Sequence, residues 1–162
     1  MTPVNLGDLP TNSPVPLGTC QLKRGAVDGQ VNYTSANADG TVILDGAGAP
    51  MQIQVTPAVN SWWLIRAEMI WSSPDAAWSY QQVRIDLTPA DLDGFSKDYA
   101  MLPIHSALSW QDVNIHTAYR IAANTLYTAR LCWVTSNAYN HYMWTGKDYT
   151  YISGELIAEG SF

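Results

Sequence analysis

Apolar and polar residues alternate along most of the chain, and no long helical period competes with this alternation. The clearest run covers residues 61–71. One set of alternate positions in it is apolar throughout: Trp63, Ile65, Ala67, Met69 and Trp71. The other set is mixed: Trp62, Leu64, Arg66, Glu68 and Ile70. Because successive side chains of a strand point to opposite faces, the first set predicts a face that packs into a core. Arg66 and Glu68 are not expected in a core unless they are paired.

The same alternation predicts further strands elsewhere in the chain. They lie at 41–44, 50–56, 78–87, 99–104 and 108–121, and within the aromatic segments 118–134 and 149–160. In 50–56, Met51, Ile53 and Val55 share one face. About seven to nine strands at spacings of about 8–12 residues indicate an all-β chain that folds as a β-sandwich or a barrel.

One segment departs from this pattern. Residues 88–94 predict a single short helical turn, with Thr88 as its cap, Pro89 at its first position and Gly94 at its end. Asp91 occupies the capping-box position of the same turn.

The first twenty residues read as an extended arm, and residues 21–162 as the sandwich domain. Four prolines recur in the arm without a sustained apolar period, and proline favours extended backbone. Such an arm is either disordered or laid against a partner. Its apolar residues favour the partner: Val4, Leu6, Leu9, Val15 and Leu17.

Composition narrows the class of partner. Only 14% of the residues are charged, the formal net charge is −6, and seven Trp and nine Tyr accompany two Phe. This balance argues against binding to nucleic acid and to anionic membranes. Tyr and Trp are the aromatic residues favoured at protein interfaces. No export signal is recognisable at the N-terminus, so Cys20 and Cys132 are expected to be free thiols.

A search for catalytic motifs finds none, so we expect no enzyme, no cofactor and no metal site. His105, His116 and His141 lack metal-ligand spacing, and the aspartates 91, 93 and 98 lack the closing glutamate of an EF-hand loop. Glu68, Asp86 and Glu155 are the carboxylates from which a glycosidase pair would have to come, and such pairs arise by chance in any sandwich of this size.

The aromatic residues of the last third offer two interpretations. An aromatic loop at 137–144 has the residue types of a glycan site, with rings that stack on sugars: Tyr139, His141, Tyr142 and Trp144. An interface or a core uses the same residue types, and we favour that interpretation. The candidates for self-association are Tyr119, Tyr127, Trp133, Tyr149 and Tyr151.

Two motifs in this region resemble those of a known family. The segment AYRIAANTLYTARL (118–131) and the ending YISGELI (151–157) resemble the closing strands of the complement globular-head and tumour-necrosis-factor-like jelly rolls. The layout of the whole chain resembles small head-decoration, head-fibre or minor tail proteins of tailed bacteriophages. These resemblances imply a jelly-roll-type β-sandwich that forms a homotrimer.

The expected function is therefore that of a virion structural protein. It would decorate or stabilise a phage capsid or tail, with itself and a major capsid or tail protein as its partners. The alternative is a carbohydrate-binding module, at the tip of a receptor-binding fibre, that recognises host-surface glycans.

Overall fold

The computed structural model describes residues 13–26, 30–33, 37–72, 81–101, 111–135, 141–144, 146 and 149–160. The described residues contain eleven β-strands and no helix, which confirms the all-β prediction. In chain order they are β1 (Cys20–Arg24), β2 (Gln30–Tyr33), β3 (Asn37–Val42), β4 (Gln52–Val55), β5 (Ser61–Ser72), β6 (Gln81–Thr88), β7 (Lys97–Met101), β8 (Gln111–Ile121), β9 (Tyr127–Thr135), β10 (His141–Trp144) and β11 (Tyr151–Ala158).

The strands form two antiparallel sheets. In the first sheet β5 is central: β8 pairs along one edge, and β11 and β10 follow each other along the other edge. β1 and β2 then pair with β11 and β10. In the second sheet, β3 and β4 follow each other along β9, which pairs with β6, and β6 pairs with β7. Each sheet therefore has four columns of strands, and three columns consist of two short strands end to end.

The three interruptions of these columns meet at one place. Gly25, after β1, donates a backbone hydrogen bond to Thr150, before β11, and Ala26 donates one to Asp45, between β3 and β4. The Asp45 side chain is buried, and its Oδ1 accepts from the backbone N–H groups of Ala47 (3.0 Å) and Ala49 (2.9 Å). Its Oδ2 lies 2.5 Å from Lys23 Nζ. One carboxylate thus satisfies the donors of a turn and links two sheet edges.

The core lies between the sheets and follows the predicted alternation. The predicted inward face of β5 is buried throughout, from Trp63 (0% exposed) to Trp71 (2%). Met51, Ile53 and Val55 are buried too, as predicted. Trp71 of the first sheet stacks on Trp133 of the second, with ring centroids 3.8 Å apart, so that the two largest side chains of this region join the sheets directly.

Trp63 is accommodated by a glycine on the neighbouring strand. Gly154 of β11 faces the core, and a Cβ built on it would stand 2.3 Å from Trp63 Nε1 and 2.8 Å from Ile53 Cδ1. A side chain at this position would therefore displace the indole. The glycine of the predicted closing motif YISGELI is required by core packing.

The structure differs from the sequence predictions of local structure in three respects. Residues 88–94 contain no helical turn: Thr88 ends β6, and the Asp91 side chain accepts from the backbone N–H groups of Asp93 and Phe95 in a non-helical loop. The carboxylate is satisfied without a helix. Residues 141–144 are a strand, β10, rather than part of a loop, because both of their edges pair with neighbouring strands. The strands β1 and β2 were not predicted.

Part of the predicted arm also belongs to the sandwich. Val15 is 7% exposed, and its backbone bonds to Thr56 and Ala58 on the connection between β4 and β5. Gly18 and Thr19 bond to Leu156 of β11. Residues 13–19 therefore pack on their own domain. Residues 1–12, with Val4, Leu6 and Leu9, lie outside the described residues.

Replacing Gly154 by alanine is expected to destabilise the domain by about 1–3 kcal/mol, because the new Cβ overpacks the core at Trp63 and Ile53. The matched control is Ser153→Ala, one position along β11 on the outward face, where we expect little change. Urea unfolding measures both variants. Equal stability of Gly154→Ala and the wild type would contradict the packing described for Trp63.

Replacing Asp45 by asparagine is expected to lower stability at neutral pH by about 1.5–3 kcal/mol, since the charged hydrogen bond from Lys23 is lost. Burial alone would raise the pKa of Asp45, but the Lys23 ammonium and the N–H groups of Ala49 and Ala47 outweigh it and hold the pKa below its ordinary value of 3.8. The stabilisation is therefore complete above pH 3.8 and is lost as the pH falls through the folded-state pKa.

Unfolding free energies measured between pH 7 and pH 2 test this pH dependence. The difference between the wild type and Asp45→Asn should shrink in the acid range, whereas Asp112→Asn, at an exposed position of β8, should follow the wild type. A difference that stays constant with pH would show that the Asp45 charge does not stabilise the fold.

Candidate functional site

The candidate site is the outward side of the first sheet, which we call the outer face. Its residues come from four strands: Trp62, Leu64, Arg66, Glu68 and Ile70 of β5, Asp112, Asn114, His116, Ala118 and Arg120 of β8, Tyr151, Ser153, Glu155 and Ile157 of β11, and Cys20, Leu22 and Arg24 of β1. Directly paired residues share a face, so these side chains form rows across the sheet.

The end of the outer face near the start of β5, which we call the apolar end, is only partly covered. Trp62 lies beside Ile157, and Leu64 lies beside Ala118 and Glu155 in the pairing register. Trp62, Leu64 and Ile157 are half-buried, and Leu22 on β1 is 44% exposed. In the isolated domain these apolar side chains therefore remain partly in contact with water.

Charged groups of both signs also lie on the outer face. Glu68 pairs in register with Tyr151 and accepts a hydrogen bond from its hydroxyl. Burial first, and then the Glu68 hydrogen bond and charge, raise the pKa of Tyr151, while Arg66 and Arg24 act in the opposite direction. The hydroxyl therefore stays protonated to higher pH than an ordinary tyrosine. The row Arg24, Tyr151, Glu68 forms a polar strip across the sheet, separated from the Leu64 row by the row that contains Arg66.

A shallow depression of about 180 Å³ opens on the same face. It is lined by Cys20, Gln21, Leu64, Arg66, Ser153, Gly154 and Glu155. Cys20 is a free, half-buried thiol whose Sγ lies 3.8 Å from the Gly18 carbonyl oxygen. Arg66 and Glu155 both line the depression, so its walls carry charges of both signs.

The other thiol, Cys132, is free and buried on the second sheet. Burial, and after it the charge of Asp86, raise the pKa of Cys132 to about 12. The outward positions Gln82 and Arg84 of β6 are buried as well, and Arg84 Nε lies 2.6 Å from Asp86 Oδ1. The second sheet is thus covered at these outward positions, unlike Trp62, Leu64 and Ile157 on the outer face.

The structure separates the predicted self-association residues into two groups. Tyr119, Tyr127 and Trp133 are 0–3% exposed and lie in the core between the sheets, so their side chains are not available to another copy of the chain. This prediction was wrong for these three residues, because the inward positions of β8 and β9 also carry large aromatics. Tyr151 lies on the outer face, and Tyr149 is 46% exposed.

Three of the four predicted glycan residues lie on a strand, β10, rather than in a loop. Trp144 is half-buried at the end of β10 and packs edge-on against Tyr149, with ring centroids 6.3 Å apart. His141 and Tyr142 belong to the same strand, and Tyr139 lies outside the described residues. Of the predicted arm contacts, Val15 is buried in its own domain and Leu17 is 42% exposed.

The carboxylates considered for hydrolysis are not brought together. Glu155 pairs with Leu64 and therefore stands four residues along β5 from Glu68, or about 13 Å at the rise of a strand. Asp86 belongs to the second sheet and is paired with Arg84. Within the described part of the chain, no group of three His, Cys, Asp or Glu side chains could hold a metal ion, and no helix has the length and hydropathy of a membrane span.

Sequence reasoning missed the most important members of the outer face. Trp62, Leu64 and Ile70 were recognised as the second, mixed side of a strand, but they were not connected with self-association. The signal that identifies them is present in the sequence: apolar residues continue at alternate positions on both faces of 61–71, and two such faces cannot both pack into one core.

Replacing Glu68 by glutamine is expected to lower the pKa of Tyr151, because a charged hydrogen-bond acceptor beside the phenol is removed. Tyrosine-selective ¹³C NMR during a titration to alkaline pH measures this pKa. Glu155→Gln, four residues along β11 from Tyr151 on the same face, is the control and should leave it unchanged. An unchanged Tyr151 pKa in Glu68→Gln would contradict the described contact.

Comparison with known proteins identifies the fold. No family model and no curated protein matches the chain. Eiger TNF from S. frugiperda superposes with a TM-score of 0.52 and 10% identity, over 90% of this chain and 96% of that one. A chain from infectious bursal disease virus, Gx strain, gives a TM-score of 0.52 and 13% identity over 88% of this chain and 34% of that one.

The chain therefore spans nearly the whole of the TNF chain and about a third of the virus chain. At these identities the likeness establishes the fold alone. Eight strand columns in two four-stranded antiparallel sheets are the arrangement of a jelly roll. The predicted jelly-roll-type β-sandwich is confirmed.

Proposed function

We propose that this chain is a virion structural protein that associates as a homotrimer through its outer face and attaches to a phage capsid or tail through its N-terminal segment. The observation that carries the proposal is the outer face itself, where Trp62, Leu64 and Ile157 are neighbours in the pairing register and are only half-buried. Contiguous apolar surface of this kind marks an interaction site.

The size of the outer face fits this role. Twelve residues of β5 extend over about 40 Å, and four strand columns are about 14 Å across, so the flat area is about 500 Å² before side-chain relief is counted. A standard-size interface buries about 800 Å² on each partner. The face is therefore of the right order for a specific contact with another copy of the chain.

The virion role and the trimer rest on further support of different kinds. The trimeric state is inferred from the sequence resemblance to the tumour-necrosis-factor-like jelly rolls. The phage origin is inferred from the resemblance in the layout of the whole chain. The fold is one that this chain shares with a chain from a virus structure, which is compatible with a location in a virion. The proposal assigns no catalytic activity and no cofactor.

The structure changes which residues would attach to the particle. Because Val15 is buried in its own domain, attachment is assigned to residues before Ser13, with Val4, Leu6 and Leu9 as the apolar contacts, and to Leu17, which is 42% exposed. The expected partner is a major capsid or tail protein.

Light scattering during size-exclusion chromatography tests the trimer. The wild type at micromolar concentration should have the mass of three 17.8-kDa chains. Leu64→Arg, between Ala118 and Glu155 on the outer face, should shift the population to monomers, because it places a charge in the interface without a partner. Leu126→Arg, the same substitution at an exposed site away from this face, is the matched control and should stay trimeric. A monomeric wild type would contradict the proposal.

A further inference from the structure

A second exposed apolar surface lies at one end of the sandwich, which we call the tip. The tip is formed by residues 13–19, the connections 56–60, 89–96 and 122–126, and the end of β11. Among the described residues, seven large apolar side chains are exposed, and five of them lie here: Leu17 (42%), Val59 (50%), Leu92 (43%), Phe95 (65%) and Leu126 (37%).

The most exposed of these side chains stand on a fixed loop. Asp91 Oδ1 accepts from the backbone N–H groups of Asp93 (3.0 Å) and Phe95 (2.7 Å), and the Asp91 N–H donates to the Phe95 carbonyl. Leu92 N–H in turn donates to the Arg120 carbonyl at the end of β8. The loop therefore holds Leu92 and Phe95 outward in one conformation.

The remaining loops are joined into the same surface. Asn124 N–H donates to the Pro57 carbonyl (2.7 Å), and Ala123 N–H donates to Asn60 Oδ1 (2.9 Å). The charges between the loops are paired, since Arg120 Nε lies 2.7 Å from Glu159 Oε1 and its Nη1 lies 3.6 Å from Asp93 Oδ1. The tip is thus a continuous, mainly apolar surface with locally neutralised charge.

The chain itself supplies a segment that fits this surface. Val15 is held between Thr56 and Ala58, so the N-terminal part of the chain enters the domain at the tip. Twelve residues precede Ser13, with the sequence MTPVNLGDLPTN, and Asp8 is their one ionisable side chain. An extended segment of this length reaches about 40 Å, whereas four strand columns are about 14 Å across.

We propose that residues 1–12 lie on the tip of their own subunit, with Val4, Leu6 and Leu9 covering the exposed apolar side chains. Tethering makes the contact intramolecular, which gives the segment a high effective concentration at the tip. The proposal does not depend on the trimer; if the segment also attaches to a particle, it must first leave the tip.

Paramagnetic broadening of methyl signals in the full-length chain tests the contact. A spin label is attached at Thr2→Cys in a Cys20→Ser background, where Cys132 is buried. The methyl signals of Val59, Leu92 and Leu126 should lose intensity. Ile70 is the internal control, because it lies nine residues along β5 from Ser61, about 30 Å from the tip, and should keep its intensity.

Three variants identify the occupant. Val4→Ser/Leu6→Ser/Leu9→Ser and Leu92→Ser/Phe95→Ser should each abolish the broadening, whereas Leu22→Ser, at a comparably exposed apolar site on the outer face, should retain it. If the tip variant fails to fold, the triple variant decides, since it changes no residue of the described fold.

Two results would overturn the proposal. One is a wild type in which the tip methyls lose no more intensity than Ile70, whether both lose it or neither does. The other is broadening that occurs between spin-labelled and isotope-labelled molecules in a mixed sample and not within one molecule, which would make a second copy the occupant. Neither result alters the mass expected for the trimer, so the two proposals fail separately.

Discussion

The close approach of Trp63 to Gly154 is the contact on which the rest of the domain depends. β5 is the central strand of the first sheet, and its inward face carries two tryptophans at 0% and 2% exposure. One stacks on Trp133 of the opposite sheet, and the other fits only because β11 has a glycine beside it. These contacts set the register of β5, and the register in turn fixes which side chains of β5 point outward.

That constraint produces the outer face. With Trp63, Ile65, Ala67, Met69 and Trp71 committed to the core, Trp62, Leu64 and Ile70 must lie on the other side. A lone sandwich leaves them half-exposed, whereas Gln82, Arg84 and Cys132 are buried at outward positions of the second sheet. The asymmetry between the two sheets gives the domain one side suited to association and one that is already covered.

The sequence predicted the parts of the fold that depend on period-two alternation: β5, the inward face of β4 and the all-β class. It did not predict β1, β2 and β10, because none of them carries three apolar residues at alternate positions, as Met51, Ile53 and Val55 do in and before β4. It placed Tyr119, Tyr127 and Trp133 at an interface, since a buried aromatic and an interfacial one have the same local pattern. Only the pairing register separates them. The sequence likewise identified Asp91 as a side chain that bonds nearby backbone in 88–94 but not the conformation, because its carboxylate can accept from the N–H groups of a helix start or of a loop.

Small-angle X-ray scattering from the full-length chain at micromolar concentration tests most directly whether the outer face is covered by other copies. We expect forward scattering of three 17.8-kDa chains and a radius of gyration well above that of one subunit. A compact monomer of this length has a radius of gyration of about 15 Å. Forward scattering of a single chain with that radius would contradict the account, because Trp62, Leu64 and Ile157 would then stay exposed to water in the functional protein.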